Sequence, residues 1–362
     1  MQVVEVADEA GLAAFLQLGR DTHRGRSVPL RERTVRSWFD GTAPHPHPVT
    51  LLLARDGEEH VGRAIAHRDD RLDARLGTRA QVFGALAAPG EHVLAALLDD
   101  IERRARAAGA RELFGPAQLL PNQSGGVITS GFEERAFPDA PWNPSWLPEA
   151  LERRGMARWY EGDTWLVDVE DDDGPSVAEL DVAGIRIDEV TRAGLGRGLR
   201  ALLPLLNDSF ALLPHFTPFT AAELRAQFAD LWLLHEPGLF LIARDEEEQP
   251  LAFVFAVLDA TPLLQASGGR LGLRERWQLV VRRTELRPDA VLVIQGARPD
   301  AQGKGIVSLL SRRLHANLAD IGCQRLRSTP VGRQNPGSAR QLSRFGGRPL
   351  HATAFYRKRL EG

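Results

Sequence analysis

The chain has 362 residues, 26% of them charged, and a net charge of −3 at neutral pH. That length accommodates two domains, each able to bury its own core, and so balanced a charge offers nucleic acid no electrostatic footprint. One cysteine excludes an internal disulfide framework and a cysteine-rich zinc site. No run of 18 apolar residues occurs, and Met1-Gln2-Val3-Val4-Glu5 does not open a leader, so a cytoplasmic protein without stable membrane insertion is expected.

In chain order, Pro44-His45-Pro46-His47-Pro48 comes first. Its prolines favour extended backbone and no third ligand lies nearby, so no metal site is expected. Strands follow at Val49 to Arg55 and His60 to His67 around the turn Asp56-Gly57, then at Arg79 to Leu86. Leu94, Leu97, Leu98, Ile101, Ala105 and Ala108 share one helical face that ends at Gly109, before a strand from Glu112 to Ala117. Trp142 and Trp146, in a Pro-rich stretch, either line a pocket or pack over the sheet.

The acidic stretch Val169-Glu170-Asp171-Asp172-Asp173-Gly174-Pro175-Ser176 reads as a linker. It divides the chain into a lobe at 1–170, a linker at 171–180 and a lobe at 181–362. In the second lobe Thr220-Ala221-Ala222-Glu223 is a capping-box pattern that starts a helix. A hairpin follows, Leu239 to Arg244 with Pro250 to Leu258, then a strand from Val291 to Ala297. Ile306, Leu310, Leu314, Leu318 and Ile321 repeat at helical spacing up to Gly322. A strand from Cys323 to Thr329, a loop with Asn335, a short helix from Ser338 to Phe345 and a last strand around Ala354-Phe355-Tyr356 complete it.

The element order of the first lobe thus recurs in the second. Arg55-Asp56 and Arg244-Asp245 are 189 residues apart, whereas Gly109 and Gly322 are 213 apart, so the second copy holds 24 extra residues. The segment from about Asp259 to Pro288 supplies them. It is locally basic, and reads as a solvated helix face, a lid over a cofactor's phosphates or a membrane-surface contact. An internal duplication is the expectation.

Chemistry is expected where the strand ending at Ala297 gives way to the helix starting near Ile306. In Gln302-Gly303-Lys304-Gly305-Ile306-Val307 the two glycines permit a tight turn with consecutive N–H groups, and the helix start adds unpaired donors and the positive end of its dipole. A pyrophosphate suits such a cradle. The matching junction of the first lobe, Ala87-Ala88-Pro89-Gly90-Glu91, has a proline without an N–H and an anion at the helix start. One working anion site, in the second lobe, is expected.

From Leu202 to Leu360 the order of elements resembles the GNAT N-acyltransferase superfamily, in which Gln/Arg-x-x-Gly-x-Gly/Ala follows the fourth strand. Gln302 and Gly305 fill the first two places, and Val307 stands where Gly or Ala is usual. Nearly the whole chain resembles the bacterial two-lobed, YghO-like group, through Phe114-Gly115-Pro116, Gly125-Gly126, Ser130-Gly131-Phe132 and Trp142-Asn143-Pro144. The resemblance implies an α/β fold of two GNAT-like lobes, each a mixed central sheet flanked by helices. It implies that acetyl-CoA, or another acyl-CoA, is held by Gln302, Gly303, Lys304, Gly305, Ile306 and Val307 at its pyrophosphate. Gln295, Gly296 and Ala297 would hold the pantetheine arm, with Asn335 at its thiol end, and the following strand would splay to admit the thioester.

The reaction implied is direct acyl transfer to a primary amine in a ternary complex. The tyrosine that such enzymes use as general acid is replaced by Leu342, so a proton donor must come from elsewhere. Gln295 stands where many relatives have a carboxylate base and could position water, and His215 is the best imidazole for a general base. An α-amine is ~10% neutral at pH 7 and a lysine side chain below ~0.1%, which favours a small molecule or amino acid as acceptor. The alternatives are a non-catalytic tandem GNAT-fold ligand-binding protein and a FemAB-like aminoacyl transferase. Cys323 opens an apolar strand and is expected in the core.

Overall fold

The computed structural model describes residues 1–22, 24–169, 184–229 and 233–361. The expected linker at 171–180 lies outside the described residues. The first half comprises β1 (Gln2–Glu5), α1 (Glu9–Asp21), α2 (Glu32–Phe39), β2 (Thr50–Asp56), β3 (Glu59–His67), α3 (Asp70–Leu76), β4 (Ala80–Ala87), α4 (Glu91–Ala107), β5 (Glu112–Gly115), β6 (Val127–Ser130), α5 (Trp146–Arg153) and β7 (Ala157–Asp168). The second half comprises β8 (Arg186–Glu189), α6 (Leu195–Phe210), α7 (Ala221–Phe228), β9 (Phe240–Arg244), β10 (Pro250–Leu258), α8 (Thr261–Ser267), α9 (Leu273–Val281), α10 (Arg283–Leu286), β11 (Asp289–Ala297), α11 (Ile306–Asp320), β12 (Arg325–Gly332), α12 (Pro336–Arg344) and β13 (Arg348–Arg359). The strands and helices named in the sequence reading recur within a few residues, and Thr220 and Glu223 form the expected reciprocal cap.

The strands form one sheet in the order β1-β2-β3-β4-β5-β13-β7-β12-β11-β10-β9-β8, with β6 beside β13. Read inward from either edge the pattern is the same: three antiparallel pairings, then a parallel one, β4 with β5 and β11 with β12. Both parallel pairs carry a bulge on the strand that leads into the long helix, at Ala85-Leu86 in β4 and at Val293 in β11. Two copies of one unit account for this correspondence.

The last strand of each copy is exchanged. β7, from the first half, pairs with β12 of the second, while β13, at the end of the chain, pairs with β5 of the first. β7 and β13 then pair antiparallel and join the half-sheets. Neither half completes its sheet from its own residues, because the parallel pair needs a neighbour on its open edge.

Apolar side chains fill both faces. In the second half, α11 lays Ile306, Leu310, Leu314 and Leu318 on one face with Leu241, Val254 and Leu292. On the other face α6 and α7 bury Leu202, Leu206, Leu224 and Phe228 against Phe253, Phe255 and Val291. Cys323 is buried, and burial pushes its thiol up to about 11. The added segment forms α8 to α10 and docks on the first half, where Arg20 Nε donates to the Gly268 carbonyl at 2.8 Å and Gln265 to that of Ser27 at 3.0 Å. It leaves β10 at Leu258 and re-enters β11 at Asp289, whereas the Gly303–Gly305 turn follows the opposite end of β11. The segment is therefore no lid over phosphates bound there.

Candidate active site

The bulge at Val293 sets the geometry of the site. β11 and β12 pair in parallel only from Asp289 with Arg325 to Leu292 with Ser328, and then part. Thr329 Oγ1 donates to the Val293 carbonyl at 2.8 Å and pins the vertex of the opening. Beyond it β12 continues alongside β7, and β11 keeps only β10. Alternate peptide groups of a strand face opposite neighbours, so from Val293 to Ala297 every second one faces the gap.

At the mouth of the gap lies the glycine turn. Gly303 and Gly305 have φ of 76° and 80°, in the left-handed region where a side chain is strained. A Cβ at either position would meet nothing within 4 Å, so the space above the turn is open. Gln302 Nε2 donates to the Ala297 carbonyl at 3.1 Å and ties the turn to the strand. No side chain caps α11 and no acidic residue lies in its first turn. The amides of Gly303, Lys304, Gly305, Ile306, Val307 and Ser308 make no hydrogen bond among the described residues. Exposed, unpartnered donors at a helix start, beside Lys304, make a nest for an anion. Ile306 and Val307 turn their side chains into the core below, leaving their amides to face outward. These residues fit the pyrophosphate of an acyl-CoA, with the gap between β11 and β12 for its arm.

Gln295 and His215, the two residues expected to be catalytic, are not together. Gln295 faces α11, where its Oε1 accepts from Ser311 Oγ at 3.5 Å, and Ser311 is in turn bonded to Gln341. Gly296, one residue on, faces α6, where a Cβ would lie 3.0 Å from the Cβ of Ser209. His215 follows α6 and belongs to this second face. Its ring is buried against Tyr160, with centroids 4.0 Å apart, and against Trp159 and Phe355. Burial lowers its pKa to about 4, so the imidazole is neutral at pH 7, with Nδ1 unpartnered. Asn335 caps α12 through its own side chain, accepting from the Ser338 amide at 3.3 Å.

Tyr160 escapes a reading of the sequence, because its place beside His215 depends on the exchange of β7 into the second half. Its ring lies over Gly332, where a Cβ would fall 2.4 Å from the phenol oxygen. The hydroxyl makes no hydrogen bond among the described residues, its pKa is raised by burial, and its φ of 48° is strained for a tyrosine. Thr329 was missed too, since nothing in a strand sequence marks where two strands part.

The corresponding gap in the first half is closed. β4 and β5 pair from Ala80 with Glu112 to Val82 with Phe114. The chain then turns back, so that the Ala117 amide donates to the Phe83 carbonyl at 2.8 Å and Ala117 packs on Gly84, where a Cβ would be 1.7 Å from its carbonyl oxygen. Pro89 offers no donor, and Glu91 in the first turn of α4 is held by Arg153 at 2.6 Å. His45 and His47 are bonded to the Arg68 carbonyl and to Asp70, and among the described residues no cluster suits a metal ion.

No protein-family model matches the chain. Among curated proteins it is 23% identical over 322 residues to Protein YghO of Escherichia coli, covering 85% of this chain and 81% of that one. It is 27% identical over 206 residues to the bacterial ceramide synthase of Caulobacter vibrioides, a match that spans about half of each chain, 51% and 52%. Among solved structures, a tandem GNAT protein from the clavulanic acid biosynthesis pathway superposes with a TM-score of 0.62 at 13% identity, covering 100% of this chain and 99% of that one. The fold is thus that of the tandem GNAT proteins: two copies of the GNAT fold in one chain.

Proposed function

We propose that the second half of this chain transfers an acyl group from acyl-CoA, acetyl or longer, to the primary amine of a small molecule. The observation that carries the reading is the run of unpartnered amides from Gly303 to Ser308 at the mouth of the gap between β11 and β12. When bound, acyl-CoA supplies a thioester carbon open to attack by an amine. The amides of Gly303 to Val307 hold its pyrophosphate, and the edge of β11 from Gln295 to Ala297 orders its arm. A strand amide facing the gap donates to the acyl oxygen as negative charge grows there.

On the α6 face the chain offers two groups for the protons. His215, neutral at pH 7, accepts from an incoming ammonium, weakly given its low pKa, and the Tyr160 hydroxyl returns a proton to the departing thiolate. Gln295, turned toward α11, orders water or holds the strand, and Asn335 steadies the loop beside the thiol end. So weak a base suits an acceptor with a substantial neutral fraction at pH 7, such as an α-amine, better than a lysine side chain.

The acceptor class is sharpened by the relative named a ceramide synthase: long-chain amino alcohols belong in the trial beside amino acids. A cytoplasmic setting belongs to the same proposal, since acyl-CoA is held inside the cell. The test is the release of CoA thiol by purified protein across acyl-CoA chain lengths and an amine panel of amino acids, long-chain amino alcohols and lysine peptides. Amine-dependent release that disappears in Gly305→Glu supports the proposal. Release equally fast on lysine peptides overturns the small-molecule acceptor, and none with any pair overturns the acyl-transfer reading.

A further inference from the structure

The first half contains a cavity that the proposed reaction does not use. It encloses about 150 Å³ beside the end of β4 and is lined by Leu30, Arg63, Ala85, Ala88, Trp142 and Trp146, among others. Trp142 and Trp146 both line it, and Trp146 also packs against the core of the first half.

Arg63 is its notable member. The residue is 5% exposed, yet among the described residues no carboxylate pairs with it. Nη1 donates to the Phe15 carbonyl at 2.8 Å and the guanidinium lies over the Phe15 ring, 4.6 Å from its centroid. Among the described residues Nε is buried without a partner and Nη2 makes no hydrogen bond. Burial, and then repulsion by Arg20, a charge of the same sign, lower the Arg63 pKa to about 9, so the group stays cationic at pH 7.

A buried cation without a counter-charge is costly, and one further feature shows that the chain makes room for this one. Gly19 lies within α1, where glycine weakens a helix, and a Cβ there would be 2.1 Å from the Arg63 Cζ, so the glycine makes room for the guanidinium.

We infer that this cavity binds a small organic carboxylate, its anionic end on Arg63 and its apolar body between the tryptophans. A cavity of this size takes a body about as large as one aromatic ring, and the guanidinium edge left unpaired by the protein is a carboxylate donor. The closed gap and Glu91 at the start of α4 keep acyl-CoA out, so the site serves a ligand other than the one at the glycine turn.

The test is thermal unfolding and calorimetric titration with benzoate, phenylacetate and octanoate at millimolar concentration, on wild type and Arg63→Met, with benzyl alcohol as the uncharged control. Expected are one saturable site per chain, a rise in the melting temperature, no response to benzyl alcohol, and loss of at least ten-fold in affinity in Arg63→Met. The ligand-free Arg63→Met protein should melt no lower than wild type, since an unpaired buried charge has gone; an arginine kept for structure alone would make it melt lower. If Arg63→Met does not fold, Arg63→Lys decides, with affinity expected to fall as the fork is lost. No binding by any of the three carboxylates, or unchanged binding in the arginine variants, overturns the inference. Acetyl-CoA binding, followed in parallel, is expected to be the same in wild type and variants, which separates this site from the acyl-transfer proposal.

Discussion

The starts of α4 and α11 occupy the same position in two copies of one unit and differ in almost every property that matters to an anion. α11 opens with two left-handed glycines, six unpartnered amides and no acidic residue; α4 opens with a proline and a glutamate tied to Arg153. Behind them β11 and β12 part at a pinned vertex, whereas the gap between β4 and β5 is filled by the chain at Ala117. A shared fold therefore does not carry a shared site. The bulge survives in both copies, but only in the second do the strands part beside a run of unpartnered amides.

That contrast can be broken most severely at the glycine turn. Gly305→Glu forces a side chain into φ of 80° and places a carboxylate at the helix start; acyl-CoA affinity, measured by calorimetry, should fall by about 100-fold or more, which is about 2.7 kcal/mol. In the first half the equivalent injury is structural. Gly84→Ala sets a Cβ 1.7 Å from a carbonyl oxygen and should cost about 2–4 kcal/mol in denaturant unfolding, with Ala117 displaced. Gly303→Ala, with open space around its Cβ, should cost only about 1 kcal/mol from its positive φ.

Tyr160→Phe sharpens the contrast from the other side, because this residue of the first half lies against Gly332 of the second. kcat should fall by about 10- to 100-fold with KM for acyl-CoA little changed; an unaltered kcat would remove Tyr160 from the proton path. The smallest effect is on pH dependence. Burial depresses the pKa of His215 to about 4 and of His67 to about 3. In the unfolded chain both protonate below about pH 6.5, while the folded protein keeps them neutral. Their contribution to stability is complete above that pH and is lost as pH falls toward 4, at up to about 1.4 kcal/mol per pH unit for each group. Melting temperatures of His215→Phe should accordingly fall less steeply between pH 6.5 and 4 than those of wild type.

Much of this was legible in the sequence because it is local. The 3.6-residue spacing from Ile306 to Leu318, the turn Asp56-Gly57 and the Thr220–Glu223 cap each name an element by its own residues, and the contrast between Gly-Lys-Gly and Pro-Gly-Glu is a statement about a few adjacent amides. What escaped is long-range. The exchange of β7 and β13 pairs strands across the chain, and neither carries a mark of its partner. Tyr160 reaches the second half only through that exchange. The face taken by Gln295 is set by the bulge at Val293, since one extra residue reverses the alternation of a strand, and nothing near Gln295 in sequence marks it. Arg63 looked like any strand arginine, and only its enclosure without a carboxylate reveals it.

The account stands on there being one acyl-CoA site, at the glycine turn before α11. Calorimetric titration of the full chain with acetyl-CoA, in wild type and Gly305→Glu, tests this most directly. One site per chain that disappears in the variant is the predicted result. Two sites, or a single site that survives Gly305→Glu, would place the cofactor in the first half and contradict the comparison drawn here.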